Sequence, residues 1–222
     1  TMIKGMQLDS RKVRPGDLFL ALPGEQHDGR QFIEQAVANG AAAVVAEAAV
    51  AGFLEAIPVP LIEVPELRFE AGVLAARFYG NPSHSMHVLG ITGTNGKTTT
   101  SRIVAQLTRI LGKRCGVIGT LGATLEDGIT LASNTTPDAL SLQRQLAEWF
   151  DQDVLAVSME VSSHALEQGR VNGVAFETAI YTNLSHDHLD YHGTMAAYGR
   201  AKQRLFSVEG LRHAVINMDD PF

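Results

Sequence analysis

The chain has 222 residues, 45% of them apolar, enough to bury one large or two small cores. Its formal net charge of −6 argues against a nucleic-acid binder, which is usually basic. Cys115 is the only cysteine, which excludes an internal disulfide and a cysteine zinc cage.

Residues 1 to about 84 read as a small α/β domain. Leu8-Asp9-Ser10-Arg11 precedes a turn at Pro15-Gly16, and Asp17 to Leu22 reads as a strand. Pro23 to Gly29 is a polar loop rich in turn residues. Gln31 to Asn39 has a helical pattern closed by Gly40. Ala41–Ala46 and Leu61–Val64 read as strands, and Pro65 opens a helix to about Tyr79. Gly80-Asn81-Pro82-Ser83 is the linker candidate. On the sequence alone, Asp9–Arg11 and Gly24–Gly29 read as ordinary surface turns. The most apolar stretch, Ala41 to Leu54, contains Glu47 and Gly52 and is too short to span a bilayer. With no visible signal peptide, a soluble cytoplasmic protein without membrane partners is expected.

Residues 85 to 222 read as a second α/β domain. Val88 to Thr100, VLGITGTNGKTTT, has the order strand, phosphate loop, helix N-terminus. Gly93 and Gly96 let the backbone turn tightly, so that N–H groups point at one anion. Lys97 adds a cation and Thr98 a hydroxyl for magnesium. The helix predicted over Lys97 to Leu111 lends its positive end. Its apolar residues Ile103, Val104, Leu107, Ile110 and Leu111 share one face. The match is partial, because Ile91 stands where the standard pattern has its first glycine. The guanine-reading Asn-Lys-x-Asp pattern is absent, so the expected nucleotide is ATP.

Cys115 to Leu121 reads as a strand. Thr136 is the expected N-cap, with Pro137 first, of a helix running to about Phe150. Val154 to Glu160 is a buried strand that delivers a carboxylate where ligands gather in open α/β sheets. A strand-end surface charge is the competing reading of Glu160. Ala175–Thr182 and Ala214–Asn217 read as strands, and Thr194–Ser207 as a helix carrying Lys202. The alternation predicts a three-layer α/β domain with a parallel sheet. Between them, Asn183 to His192 crowds His186, His188 and His192 with Asp187 and Asp190. This cluster reads either as the two-metal site of a hydrolase, one residue off the H-x-H-x-D-H register, or as a solvated polar loop. A third reading has one imidazole helping to hold Mg²⁺ near ATP.

Leu8–Arg11, Gly16–Phe19, Gly24–Gly29, Thr92–Thr99, Asn134–Thr136, Met159–His164, Thr182–Gly193 and Ala201-Lys202 together resemble the Mur ligase family. The combination D-S-R, M-E-V-S-S-H and D-H-L-D-Y-H is similar to the members that add the third amino acid of the peptidoglycan stem peptide. The resemblance implies an N-terminal α/β domain over 1–84 that binds the UDP-substrate. It implies a P-loop-type, mostly parallel ATP-binding domain over 85–222, cut short, with the amino-acid-selecting domain beyond Phe222. It also implies a monomer that uses ATP and Mg²⁺ to join UDP-MurNAc-L-Ala-D-Glu to diaminopimelate or lysine through an acyl phosphate. Truncation leaves a binding fragment without ligase activity as the expectation for the 222 residues alone.

The resemblance also implies site residues. Gly93, Thr94, Asn95, Gly96, Lys97, Thr98 and Thr99 would hold ATP, with Lys97 stabilising the transferred phosphoryl group. Thr98, Glu160, His188 and Lys202 would hold metal, Lys202 as a carbamate (N6-carboxylysine), although spacing alone makes Lys202 a surface lysine. Leu8, Ser10, Glu25, Gln26 and His27 would bind the uridine diphosphate end. Asn134, Thr135, Thr136, Ser162, Gln168 and Arg170 would contact the muramoyl-dipeptide.

Overall fold

Four short apolar runs in the first 71 residues pair into one parallel sheet. β1 (Gly5–Gln7), β2 (Asp17–Ala21), β3 (Ala43–Glu47) and β4 (Leu61–Val64) lie side by side in chain order. The computed structural model describes residues 2–24, 28–47, 57–125, 128–130 and 135–222. The chain divides into two compact units, Thr1–Ala71 and Gly72–Phe222.

In the first unit, Phe19, Ala21, Val44 and Ala46 from the sheet meet Ile33 and Ala36 of α1 (Ile33–Ala38) in one core. The helix predicted over Gln31–Asn39 begins differently. A 3-10 turn (Gly29–Phe32) precedes α1 because the Asp28 side chain accepts from the Arg30 backbone N–H and tightens the first turn. Asp9 does the same for a 3-10 turn at Ser10–Lys12. In both D-x-R segments the arginine folds back onto its aspartate, at 2.8 Å for Arg11–Asp9 and 2.7 Å for Arg30–Asp28. Those guanidinium hydrogen bonds hold both carboxyls below the usual range. Each device follows the C-terminal end of a parallel strand.

The second unit is built on a seven-stranded sheet, ordered β11-β10-β5-β9-β6-β7-β8. β5 (His87–Thr92), β6 (Cys115–Gly119), β9 (Ala156–Glu160), β10 (Thr178–Tyr181) and β11 (His213–Ile216) are parallel. β7 (Gly122–Leu125) and β8 (Gly128–Thr130) add an antiparallel meander that the sequence did not reveal. β9 runs between β5 and β6, and all five of its residues are buried. That placement explains its nearly continuous apolar run. α4 (Ala139–Phe150) packs Leu142, Leu146 and Trp149 into the main core with Val157, Met159 and Phe176.

One local expectation is corrected. The N-cap of α4 is Asp138, whose carboxylate accepts from Ser141 N at 2.9 Å. Thr136 is fully buried and committed elsewhere, because its hydroxyl donates to the Glu160 carbonyl at 3.0 Å. The apolar stripe of α3 (Lys97–Ile110) does share a face, but that face is exposed: Leu107 is 56% and Ile110 80% accessible. The small residues Ser101 and Ala105 face inward instead, Ala105 clustering with Cys115, Val117 and Ala156 of the sheet. Small side chains there let the helix lie close against β6 and β9.

α2 (Leu67–Phe78), α5 (Ser163–Glu167), α6 (Leu189–His192) and α7 (Met195–Gln203) are the other α-helices among the described residues. Among the described residues, no helix is long and apolar enough to cross a membrane.

Candidate functional site

β5 ends at Thr92 and the chain turns at once into the phosphate loop. Gly93 has φ +148° and Gly96 φ +84°, backbone conformations that side chains resist. A Cβ on Gly93 would also stand 1.9 Å from Thr182 Oγ1. Gly96 is the N-cap of α3, so the loop opens onto a helix N-terminus. Lys97 lies back across the loop and donates to the carbonyls of Gly93 (2.9 Å) and Thr94 (2.8 Å). Burial lowers its pKa, opposed by the charges of Glu160 and Asp187.

Glu160, delivered by β9, is 1% exposed, which rules out a strand-end surface charge. Its carboxylate accepts from the Thr98 hydroxyl at 2.9 Å, from Thr120 N at 3.0 Å and from Thr120 Oγ1 at 3.3 Å. This pair fits a magnesium ion. Oxygen ligands adjacent on an octahedral Mg²⁺ stand about 2.9 Å apart when each bond is about 2.0–2.1 Å. Magnesium is commonly held by one or two carboxylates plus substrate phosphates. A carboxylate and a hydroxyl beside a phosphate loop are that donor set.

Lys202 is no surface lysine. It is 2% exposed, its ammonium donates to the Gly93 carbonyl at 2.8 Å, and it lies 4.2 Å from the Tyr198 ring centroid. Lys97 and Lys202 therefore share one acceptor, Gly93 O. Burial, and then the charge of Lys97, push the Lys202 amine down to about 7. An amine at that value is about half neutral near pH 7, the form that reacts with CO₂.

The histidines do not form a protein-built metal cage. Among the described residues, no three of His, Cys, Asp and Glu converge to hold an ion. His188 takes a left-handed backbone at the start of α6 and packs edge-on against His164, with centroids 4.9 Å apart. His192 Nε2 turns instead to Ser163 Oγ at 2.9 Å, and burial lowers its pKa. His186 is exposed. The two-metal hydrolase reading is corrected accordingly: the rings of His188 and His192 pack together on His164 and Tyr198 rather than aiming their nitrogens at one point with a third ligand.

Thr135, Thr136, Ser162, Gln168 and Arg170 form a continuous network beside Glu160. Ser162 N donates to Thr136 Oγ1 at 3.2 Å, and Ser162 Oγ caps α5 through Ala165 N. Arg170 donates to the Thr136 carbonyl at 3.1 Å and to Gln168 Oε1 at 2.7 Å. Thr135 Oγ1 is 3.2 Å from Thr120 Oγ1. In the first unit, Ser10 is buried, its hydroxyl donates to Gln35 Oε1 at 2.7 Å, and Leu8 is half-buried beside it in sequence. Glu25, Gln26, His27 and Asn134 lie outside the described residues. Thr99 is exposed on the first turn of α3, while Thr94 and Asn95 bond to Ser185 and Asn183. Thr120, Thr182 and Asn183 are site residues that the sequence reading missed. Thr182 and Asn183 stand immediately after an apolar strand in a parallel sheet, the position where such residues are to be sought.

Residues 91–222 match the Mur ligase middle domain, and residues 2–79 match the Mur ligase family catalytic domain. The chain belongs to the Mur ligase family. It is 52% identical, over 100% of its length, to the UDP-N-acetylmuramoyl-L-alanyl-D-glutamate--2,6-diaminopimelate ligase of Ectopseudomonas mendocina. It spans 45% of that relative, so under half of the relative's length is represented. A solved structure of a ligase of the same name superposes with a TM-score of 0.86 at 42% identity, covering 99% of this chain and 44% of the other. The fold is also that of the Thermotoga maritima MurF ligase solved in complex with ADP, with a TM-score of 0.66 at 22% identity over 98% of this chain and 46% of the other.

Proposed function

We propose that this chain is part of an ATP-dependent amide ligase of peptidoglycan precursor synthesis, adding the third amino acid to UDP-MurNAc-L-Ala-D-Glu. The observation that carries the proposal is the Thr98 hydroxyl held 2.9 Å from the buried Glu160 carboxylate, beside a lysine-bearing phosphate loop. The ligases with which it shares about half its residues supply the substrate class.

In this reading the phosphate loop, residues 93–99, binds the ATP phosphates through backbone N–H groups and the Lys97 ammonium. Thr98 and Glu160 hold Mg²⁺, with His188 and a carbamate on Lys202 toward a second ion. The metal, when bound, supplies charge neutralisation so that two anions can meet. Thr135, Thr136, Ser162, Gln168 and Arg170 orient the muramoyl-dipeptide, with Asn134 joining them by resemblance. A carboxylate oxygen of the glutamate attacks the γ-phosphorus of ATP and ADP leaves. The amine of diaminopimelate or lysine then attacks the acyl carbon, phosphate leaves, and the amine loses a proton as the amide forms. Lys97 stabilises charge on the transferred group. Leu8, Ser10 and the Glu25–His27 loop take the uridine diphosphate end. Leu8 and Ser10 follow β1, at the edge where parallel sheets gather ligands, and the Glu25–His27 segment joins them by resemblance. The division of labour at about residue 84, a cytoplasmic location and a monomeric state belong to the same proposal.

The test is mass-spectrometric detection of UDP-tripeptide, made by the protein at its full natural length from ATP, Mg²⁺, the UDP-dipeptide and either diaminopimelate or lysine. Product is expected with one of the two amino acids. No product with either overturns the proposal.

A further inference from the structure

The segment after β11 reaches back to the site. Asn217 Nδ2 donates to the Thr182 carbonyl at 2.8 Å. The Asp220 carboxylate accepts from Leu184 N at 3.0 Å and from the Tyr181 hydroxyl at 2.7 Å. These two side chains grip the peptide groups on either side of Asn183.

Asn183 in turn reads the phosphate loop. Its Oδ1 accepts from Asn95 N at 2.9 Å, its Nδ2 donates to Asn95 O at 3.0 Å, and its carbonyl accepts from Thr94 N at 2.8 Å. Thr182 Oγ1 adds a bond to Asn95 O at 2.7 Å. The loop tip, with Asn95 and Gly96 exposed, thus hangs on the segment 182–185, in which Asn183 makes three of the bonds and Thr182 and Ser185 the others.

We propose that Asn217 and Asp220 are positioning residues that act through Asn183 to fix the shape of the phosphate loop. A phosphate cradle works only if its N–H groups are already aimed, because ordering them on binding costs conformational entropy. Asn217 is exposed and Asp220 half-buried, so neither bond is needed to fill the core. The Leu184 N–H, the Tyr181 hydroxyl and the Phe222 N–H hold the Asp220 carboxyl below its usual range, as expected of an anion gripped by donors. The consequence for nucleotide binding rests on the reading given under Proposed function. The clamp on the loop does not.

The test is hydrogen exchange of the Thr94 and Asn95 amides in the nucleotide-free protein, for wild type, Asp220→Ala, Asn183→Ala and the double variant. Exchange about ten-fold faster is expected in each single variant, the loss of roughly one net hydrogen bond, with no further gain in the double. Unchanged exchange in Asp220→Ala, or effects that multiply in the double, overturns the proposal. Should Asp220→Ala not fold, Asp220→Asn removes the charge at constant shape and is read in the same way. ATP affinity is measured in parallel and is expected to fall about three- to ten-fold in Asp220→Ala, with binding of the UDP-substrate unchanged. Faster exchange with unaltered ATP affinity upholds the clamp and counts against the nucleotide reading of the loop.

Discussion

Lys202 carries a stability signature that can be measured without any substrate. Its amine falls from the ordinary 10.5 to about 7, first because it is buried and then because Lys97 is near. At about 1.4 kcal/mol per pH unit, that fall withholds on the order of 5 kcal/mol of stability while both folded and unfolded lysines are protonated. The sign follows from proton counting. Between about pH 7 and 10.5 the unfolded chain holds one proton more than the folded chain. Stability attributable to Lys202 therefore rises with pH across that window, and the full cost is present below it. Lys202→Met removes the charge at similar volume. It forfeits the bond to Gly93 O, but that carbonyl keeps its bond from Lys97 at 2.9 Å. Net stabilisation of about 2–4 kcal/mol is expected at pH 6, shrinking to about zero or slightly negative by pH 10.5. The assay is urea unfolding of wild type and variant from pH 6 to 10.5 in CO₂-free buffer, because a carbamate would replace the cation with an anion. Titrations common to both proteins cancel in the difference. Two parallel stability–pH curves would refute the reasoning.

Much of the fold was legible because its signals are local. The alternation of apolar strands with helical periods marked both sheets, and the G-T-N-G-K-T-T run marked the loop where β5 meets α3. The misses come from long-range competition. Thr136 before a proline has the chemistry of an N-cap, yet a buried bond to the end of β9 claims it and Asp138 takes the cap. Lys202 looks like any helix lysine until its turn of α7 is seen to lie under Gly93. The apolar residues of α3 share one face as their spacing indicates, but a serine and an alanine on another face make the contact that the sheet accepts. The histidines show the converse. Their crowding in sequence allowed a two-metal site, but the rings of His188 and His192 pack on His164 and Tyr198, His192 bonds to Ser163, and among the described residues no three such groups are set to hold an ion. Asn217 and Asp220 carried no signal of their own, because their meaning lies in two peptide groups more than thirty residues away, at separations of 35 and 36.

Two more perturbations probe the structure. Asp138→Ala removes the N-cap of α4 and should cost about 1 kcal/mol in urea unfolding, because the bond to Ser141 N has no substitute in alanine. A cost below about 0.3 kcal/mol would mean that packing alone sets the helix start. The other perturbation is Gly119→Ala, which separates metal from phosphate. A Cβ on Gly119 would stand 2.1 Å from Glu160 Oε1 and 2.7 Å from its Cδ, so the carboxylate must swing away. Its bond to the Thr98 hydroxyl at 2.9 Å then breaks, while Lys97 and the loop glycines keep their places. Gly119 ends β6 with an ordinary φ, so alanine brings no backbone strain. Titration calorimetry should show ATP affinity falling about ten-fold when Mg²⁺ is present and changing little in EDTA, since only the ion-holding pair is disturbed. An equal loss in both conditions would place the damage in the phosphate loop, and no loss with Mg²⁺ would remove Glu160 from the metal site.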